Sequence, residues 1–108
     1  MGKILRPVLL LLPLTMGCYN PAKIVITNGL ESENIEYIYI SSDSEEEWGI
    51  NSLPNWEVLP PGESLEIAVL PDTYDLQVVD QNGHTYTKWD MEVKDDDLIW
   101  EVVPADID

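Results

Sequence analysis

The single cysteine and the single histidine carry the most distinctive chemistry in this 108-residue chain. Cys18 is separated by three residues from a short apolar run, and His84 follows Asn82-Gly83, a pair typical of hairpin turns. Catalysis by a Ser-His-Asp set needs a buried, oriented histidine, which a hairpin turn rarely offers. Zinc sites are usually built from several Cys and His ligands, which this composition cannot supply. The sequence therefore predicts a protein that is not an enzyme and holds no zinc.

Carboxylates are abundant, with 21 Asp and Glu against 5 Lys and Arg. Calcium takes six to eight oxygen ligands, and two oxygen-rich segments contain possible ones. These possible ligands are Asp43, Glu45, Glu47, Asp80 and Asn82. Neither segment has the alternating acids, central glycine and distal glutamate of an EF-hand loop. We therefore predict no cofactor, and we keep calcium as the alternative to solvated acidic turns.

Four tryptophans divide into two pairs. Trp48 and Trp56 flank an irregular segment, residues 50–55, and could present an aromatic surface to a sugar or a protein. The competing interpretation is that they cap one end of the domain. Trp89 and Trp100 lie in alternating segments beside other apolar residues, which predicts that both belong to the core.

Residues 1–17 have the organisation of a secretory signal peptide. Lys3 and Arg6 precede the apolar run Val8–Leu14, and small or apolar residues lead up to Cys18. The apolar run is too short to cross a bilayer, which needs about 20 residues.

The segment Leu14-Thr15-Met16-Gly17-Cys18 resembles the lipobox of bacterial lipoproteins. That resemblance implies that the Cys18 sulfur carries a diacylglycerol, that cleavage leaves Cys18 first, and that the lipid binds the membrane. It departs from the family at Thr15, where leucine is commonest. Tyr19 replaces the aspartate that retains lipoproteins at the inner membrane, so the resemblance implies a cell-envelope location, at the outer membrane of a Gram-negative host.

Removal of residues 1–17 leaves 91 residues, in which Lys23, Lys88 and Lys94 stand against 21 acids, a formal charge of −18. This balance argues against nucleic acid, whose phosphates attract Lys and Arg. It favours cations, cationic proteins or metal ions as partners, and the alternative is an acidic surface that serves solubility or adaptation to salt. Cys18 is the single cysteine, so no disulfide can form within the chain and packing alone must hold the core.

The rest of the chain alternates between apolar and polar residues in short segments separated by turn signals, which predicts six or seven strands. In residues 35–40, apolar residues occupy both odd- and even-numbered positions, which predicts a central strand with both faces covered. We predict an all-β fold, a small antiparallel β-sandwich of Ig or transthyretin-like type, with a barrel as the alternative. Its parts are a tether at 18–23, the domain at 24–104 and an acidic tail at 105–108.

From Ile38 onward the sequence also resembles a family of small, uncharacterised exported bacterial β domains. The matching segments are Ile38–Ser41, Trp48–Leu53, Leu59–Ser64, Pro71–Leu76 and Val79–Gly83. The resemblance implies a sandwich-like fold and no particular activity.

We therefore predict a lipid-anchored acidic envelope protein that acts by binding. The loop Ser41–Glu47, together with Trp48, would meet a cationic or amphipathic protein. The alternative is a calcium-dependent structural or adhesion module of the envelope.

Overall fold

A computed structural model describes residues 22–54 and 57–108, and these residues form two facing three-stranded sheets. The strands are β1 (Ala22–Asn28), β2 (Ile35–Ser42), β3 (Ser64–Val69), β4 (Asp72–Asp80), β5 (Thr85–Val93) and β6 (Leu98–Val102). Sheet I has the order β3-β1-β6, and sheet II has the order β2-β4-β5. The predicted all-β sandwich is confirmed.

Sheet I is built around β1, which pairs antiparallel with β3 and parallel with β6. Ile24 lies opposite Ile67 of β3, and Ile26 lies opposite Trp100 of β6. In sheet II the central strand β4 is antiparallel to both neighbours. The parallel β1–β6 pair is the one departure from an antiparallel sandwich among the described strands.

The core lies between the sheets because inward residues alternate along each strand. Ile24, Ile26, Ile38, Leu76 and Val78 are fully buried. Burying one such side chain contributes about 1.5–3 kcal/mol relative to exposure. Trp100 is buried at 5% exposure, as predicted.

The prediction that residues 35–40 form a central strand is wrong, because β2 lies at the edge of sheet II. The register with β4 shifts between Ile35 and Tyr37. This irregularity lets Ile35, Ile38 and Ile40 all point into the core, while the tyrosines between them lie on the outer face. Both odd- and even-numbered positions of β2 are therefore apolar for two reasons: the bulge changes which positions face the core, and tyrosines cover the outer face.

The prediction that Trp89 belongs to the core is also wrong, since its exposed fraction is 63%. Tyr74 pairs with Met91, whereas Leu76 pairs with Lys88, so β5 contains one extra residue opposite Asp75. Such a bulge reverses which residues face the core on its two sides. It turns Trp89 outward.

At the start of the domain, β1 begins at Ala22, two residues before the predicted domain boundary. At its end, a 3-10 helix spans Pro104–Asp106, and the Asp108 N–H donates a 2.9 Å hydrogen bond to the Thr85 carbonyl. The acidic tail therefore packs against β5.

The predicted signal peptide at 1–17, Cys18 and the first residues of the tether lie outside the described residues. Across residues 22–54 and 57–108, the chain forms no helix of a length and apolarity that would span a membrane.

Candidate functional site

Four aromatic side chains form a continuous row on the outer side of sheet II. Tyr37 and Tyr39 stack with ring centroids 6.1 Å apart and ring planes 5° from parallel. Trp48 lies 6.4 Å from Tyr39 and 5.6 Å from Trp89. We call Tyr37, Tyr39, Trp48 and Trp89 the aromatic row.

The row joins the two edge strands of sheet II through a loop residue. Tyr37 and Tyr39 come from β2, Trp89 comes from β5, and Trp48 contacts both sides from the segment that follows β2. The bulge in β5 is essential to this arrangement because it brings Trp89 to the outer face. At its centre, Asp90 has a positive φ of 57°.

Hydrogen bonds hold the loop that carries Trp48. The buried Ser41 hydroxyl lies 3.1 Å from the Glu47 carbonyl oxygen and 2.9 Å from that of Trp48, and donates to this pair. The Asp43 N–H donates to the Thr73 carbonyl at 2.9 Å. Gly49 follows Trp48 with a φ of 84°, a conformation that side-chain-bearing residues rarely adopt.

The chain after Gly49 runs along the outer edge of β2. The Asn51 side-chain oxygen accepts the Ile38 N–H at 2.9 Å, and the Ser52 N–H donates to the Ile38 carbonyl at 2.7 Å. These bonds occupy backbone groups that an edge strand otherwise leaves open. They also fix the far side of the loop that presents Trp48.

A pocket of about 70 Å³ opens where the loop meets the row. Its lining consists of Trp48, Trp89, Ser41 and Asp75, together with residues 45–47. A water molecule needs roughly 10–15 Å³ of such space, so the pocket can hold a few waters or one small polar group. We call it the loop pocket.

Asp75 is the most buried carboxylate in the loop pocket, with 9% of its surface exposed. Its Oδ1 accepts a 2.9 Å hydrogen bond from the backbone N–H of Asp90. The bulge residue thereby holds the carboxylate in place, and the same bulge positions Trp89 beside it.

Negative charge around the loop pocket is not neutralised by any ion pair within the described residues. The lysines of the described residues form ion pairs with acids outside the loop pocket: Lys23 with Glu66 at 3.2 Å, Lys88 with Asp106 at 3.7 Å and Lys94 with Glu92 at 3.6 Å. Asp43 and Glu45–Glu47 have no such contact and are exposed. We call residues 43–47 the acidic loop.

The possible calcium ligands lie in two separate places. Asp43, Glu45 and Glu47 follow the end of β2, whereas Asp80 pairs with Ile35 at its beginning. The eight residues of β2 separate these ends by about 23 Å, so one ion cannot take ligands from both. Within residues 22–54 and 57–108, no group of three or more His, Cys, Asp or Glu side chains is arranged to hold a metal.

Asp80 has a structural role in the turn between β4 and β5. Its Oδ1 accepts the N–H groups of Asn82 and His84, and its Oδ2 accepts the Tyr86 hydroxyl at 2.8 Å. Burial alone raises the pKa of Asp80, but these hydrogen bonds outweigh it and hold the pKa below its ordinary value. Burial and the bond to Asp80 raise the pKa of Tyr86 to about 12.

Sequence reasoning identified part of this site. Trp48 and the acidic loop were predicted together, and the structure brings them together. Trp56 lies outside the described residues. Asp75 and Trp89 were missed because the bulge that joins them has no glycine to indicate it. Tyr37 and Tyr39 were missed as surface residues because β2 was expected to be central.

Comparisons with known proteins support the fold alone. No protein-family model matches the chain, and no curated protein matches it. The chain is similar to a solved structure described as "NMR structure of the protein from Eubacterium rectale", with a TM-score of 0.60 and 15% identity. The similarity covers 86% of this chain and 89% of that chain. At this identity it indicates a shared sandwich architecture and carries no information on activity.

Proposed function

We propose that this protein is a non-catalytic binding module of the cell envelope that recognises a cationic protein. The observation that carries the proposal is the aromatic row beside the unneutralised acidic loop. Aromatic side chains supply contact area at binding surfaces, and complementary charge accelerates association and selects the partner.

The charge distribution supports a cationic partner over other classes. The chain has 21 acids, and the lysines of the described part are engaged with acids away from the loop pocket. An anionic partner would meet repulsion across the whole surface. A neutral sugar could stack on the aromatic row and donate hydroxyl hydrogen bonds to carboxylates, but it would leave the negative charge of residues 43–47 uncompensated.

The anchor in this proposal is the lipid on Cys18, based on the lipobox resemblance. Cys18 precedes Ala22 by four residues, a reach of at most about 14 Å. Ala22 pairs with Val69, and the short link after Val69 leads into β4 next to the acidic loop. The proposed binding surface would therefore lie at the membrane-proximal end, where it would meet the partner close to the bilayer.

Labelling with palmitate tests the anchor. The full-length chain expressed in its bacterial host should incorporate labelled palmitate, and Cys18→Ser should abolish incorporation. Labelling that persists in Cys18→Ser contradicts the anchor and leaves the binding surface to be tested separately.

Binding to an immobilised arginine- and lysine-rich peptide tests the surface. The matched variants are Glu45→Gln/Glu46→Gln/Glu47→Gln, in the acidic loop, and Glu31→Gln/Glu63→Gln/Glu101→Gln, at the other end of the sandwich. Both remove three exposed charges. The loop variant should lose retention at moderate salt, while the control should keep most of it. Equal losses would mean that net charge alone causes binding, and the proposal would fail.

A further inference from the structure

We infer that the loop pocket binds the guanidinium group of an arginine side chain from the partner. This inference rests on the proposed function and names the chemical group that its central subsite recognises. Trp48, Trp89 and the largely buried Asp75 line this pocket of about 70 Å³, together with three exposed glutamates, Glu45–Glu47.

The protein contains an internal precedent for this combination. Lys88 Nζ lies 6.0 Å from the Trp100 ring centroid and 3.7 Å from Asp106 Oδ1. Asp106 also accepts the Trp100 indole N–H through Oδ2 at 3.2 Å. An indole and a carboxylate thus hold a cation together within this fold. In the loop pocket the same groups occur, and no cation of the described residues lies among them.

The geometry of the indoles decides how a ligand enters. The ring centroids of Trp48 and Trp89 are 5.6 Å apart and their planes are tilted by 36°. The rings are already in contact, so a cation does not slide between them. It enters the pocket beside them, where it meets indole surface and the carboxylate of Asp75.

Arginine suits this pocket better than lysine. A guanidinium is planar, stacks on aromatic rings and presents a fork of N–H donors that matches a carboxylate. Asp75 offers a carboxylate held in place by the Asp90 N–H, and Glu45–Glu47 offer further acceptors at the rim. Lysine would provide the charge without the flat face or the fork.

Titration with capped tripeptides tests the inference. The probes are Ac-Gly-Arg-Gly-NH₂, Ac-Gly-Lys-Gly-NH₂ and Ac-Gly-citrulline-Gly-NH₂, the last being a neutral analogue of the arginine peptide. Binding is followed by the indole N–H signals of Trp48 and Trp89 in NMR spectra of residues 18–108, with the Trp100 signal as the internal reference. The arginine peptide should bind about tenfold more tightly than the citrulline peptide, since a paired charge is lost.

Two variants locate the effect. Asp75→Asn should remove the preference for arginine over citrulline, and Trp89→Leu, at an exposed position, should weaken the arginine peptide without unfolding the domain. Glu63→Gln, which removes one charge at the other end, should change neither result. A preference that survives in Asp75→Asn overturns the inference.

The remaining outcomes separate this inference from the proposed function. If lysine binds as well as arginine, the guanidinium assignment is wrong. If the indole signals do not respond although the basic peptide is retained through the acidic loop, the subsite is wrong and the proposed function stands. If the indole signals do not respond and the basic peptide is not retained, both the arginine subsite and the proposed function are wrong. If phosphatidylcholine vesicles move the indole signals more than the arginine peptide does, the pocket binds a lipid headgroup, and the inference is overturned.

Discussion

The carboxylate of Asp75 accepts the backbone N–H of Asp90 at 2.9 Å, and Asp90 is the positive-φ residue of the bulge in β5. This bond joins the central strand of sheet II to the irregularity that turns Trp89 outward. The shape of the loop pocket therefore depends on backbone geometry in β5.

Substitutions at Asp90 test the bulge. The left-handed conformation costs a residue with a side chain about 1–2 kcal/mol, and β-branched residues tolerate it least. Asp90→Val should therefore have a lower free energy of unfolding than Asp90→Gly, by about 1–2 kcal/mol, in urea titrations. Equal stabilities would show that residue 90 does not adopt the positive φ.

Acid sensitivity should depend on Asp80. Its pKa is lowered in the folded state, so the stabilisation is present above the unfolded pKa and is lost as the pH falls through the folded value. Between pH 5 and pH 2.5, Asp80→Asn should lose less unfolding free energy than the unsubstituted protein. Asp95→Asn, an exposed turn residue, is the control. The Asp108 pKa is lowered too, mainly by the Thr87 hydroxyl, so Asp80→Asn keeps some acid dependence. An unchanged pH profile in Asp80→Asn would contradict this role.

Removal of the Tyr86 hydroxyl should destabilise the domain. Tyr86→Phe leaves Asp80 Oδ2 buried without its 2.8 Å donor, which costs about 1.5–3 kcal/mol for a charged acceptor. Because the folded pKa of Tyr86 is raised to about 12, the unsubstituted protein should also lose stability as the pH rises from 10 to 12. Tyr86→Phe should lose less over that range. A variant as stable as the parent at pH 7 would contradict the account.

Replacement of Gly49 should weaken peptide binding in addition to destabilising the domain. Gly49 and Gly62 have similar φ values, 84° and 87°, and open space around both. Gly49→Ala and Gly62→Ala should therefore destabilise the domain by similar amounts, about 1–2 kcal/mol. Gly49→Ala should also weaken the arginine peptide because Gly49 follows Trp48, whereas Gly62→Ala should not. Equal effects on peptide binding would show that Trp48 does not depend on this turn.

The sandwich itself could be predicted because strand alternation is a local signal. Leu65, Ile67 and Val69 alternate in β3 and face inward as expected. The outer surface of sheet II could not be predicted in the same way. It depends on a shift after Ile35 and on an extra residue before Met91, and both are set by pairing between distant strands. A two-residue period read through a bulge assigns the side chains on one side of the bulge to the wrong face, which is how Trp89 was grouped with the inward-facing Met91 and Val93.

The position of the acidic loop, by contrast, could be predicted from the sequence. Its position after β2 was evident from composition, and Trp48 directly follows it. Its neighbour Asp75 comes from a different strand and has no local sequence signal. Asp80 was considered as a calcium ligand because its segment is rich in side-chain oxygens, yet its carboxylate oxygens already accept three hydrogen bonds.

Mapping of the contact surface shows whether the acidic loop and the aromatic row bind a cationic peptide. Amide and indole NMR signals of residues 18–108 would be followed during titration with the arginine- and lysine-rich peptide at moderate salt. We expect changes concentrated in residues 43–49 and in the indoles of Trp48 and Trp89, with little change around Asn28, Gly62 and Glu101. Changes spread evenly over the acidic surface, or centred on the turn at residues 94–97, would contradict this expectation.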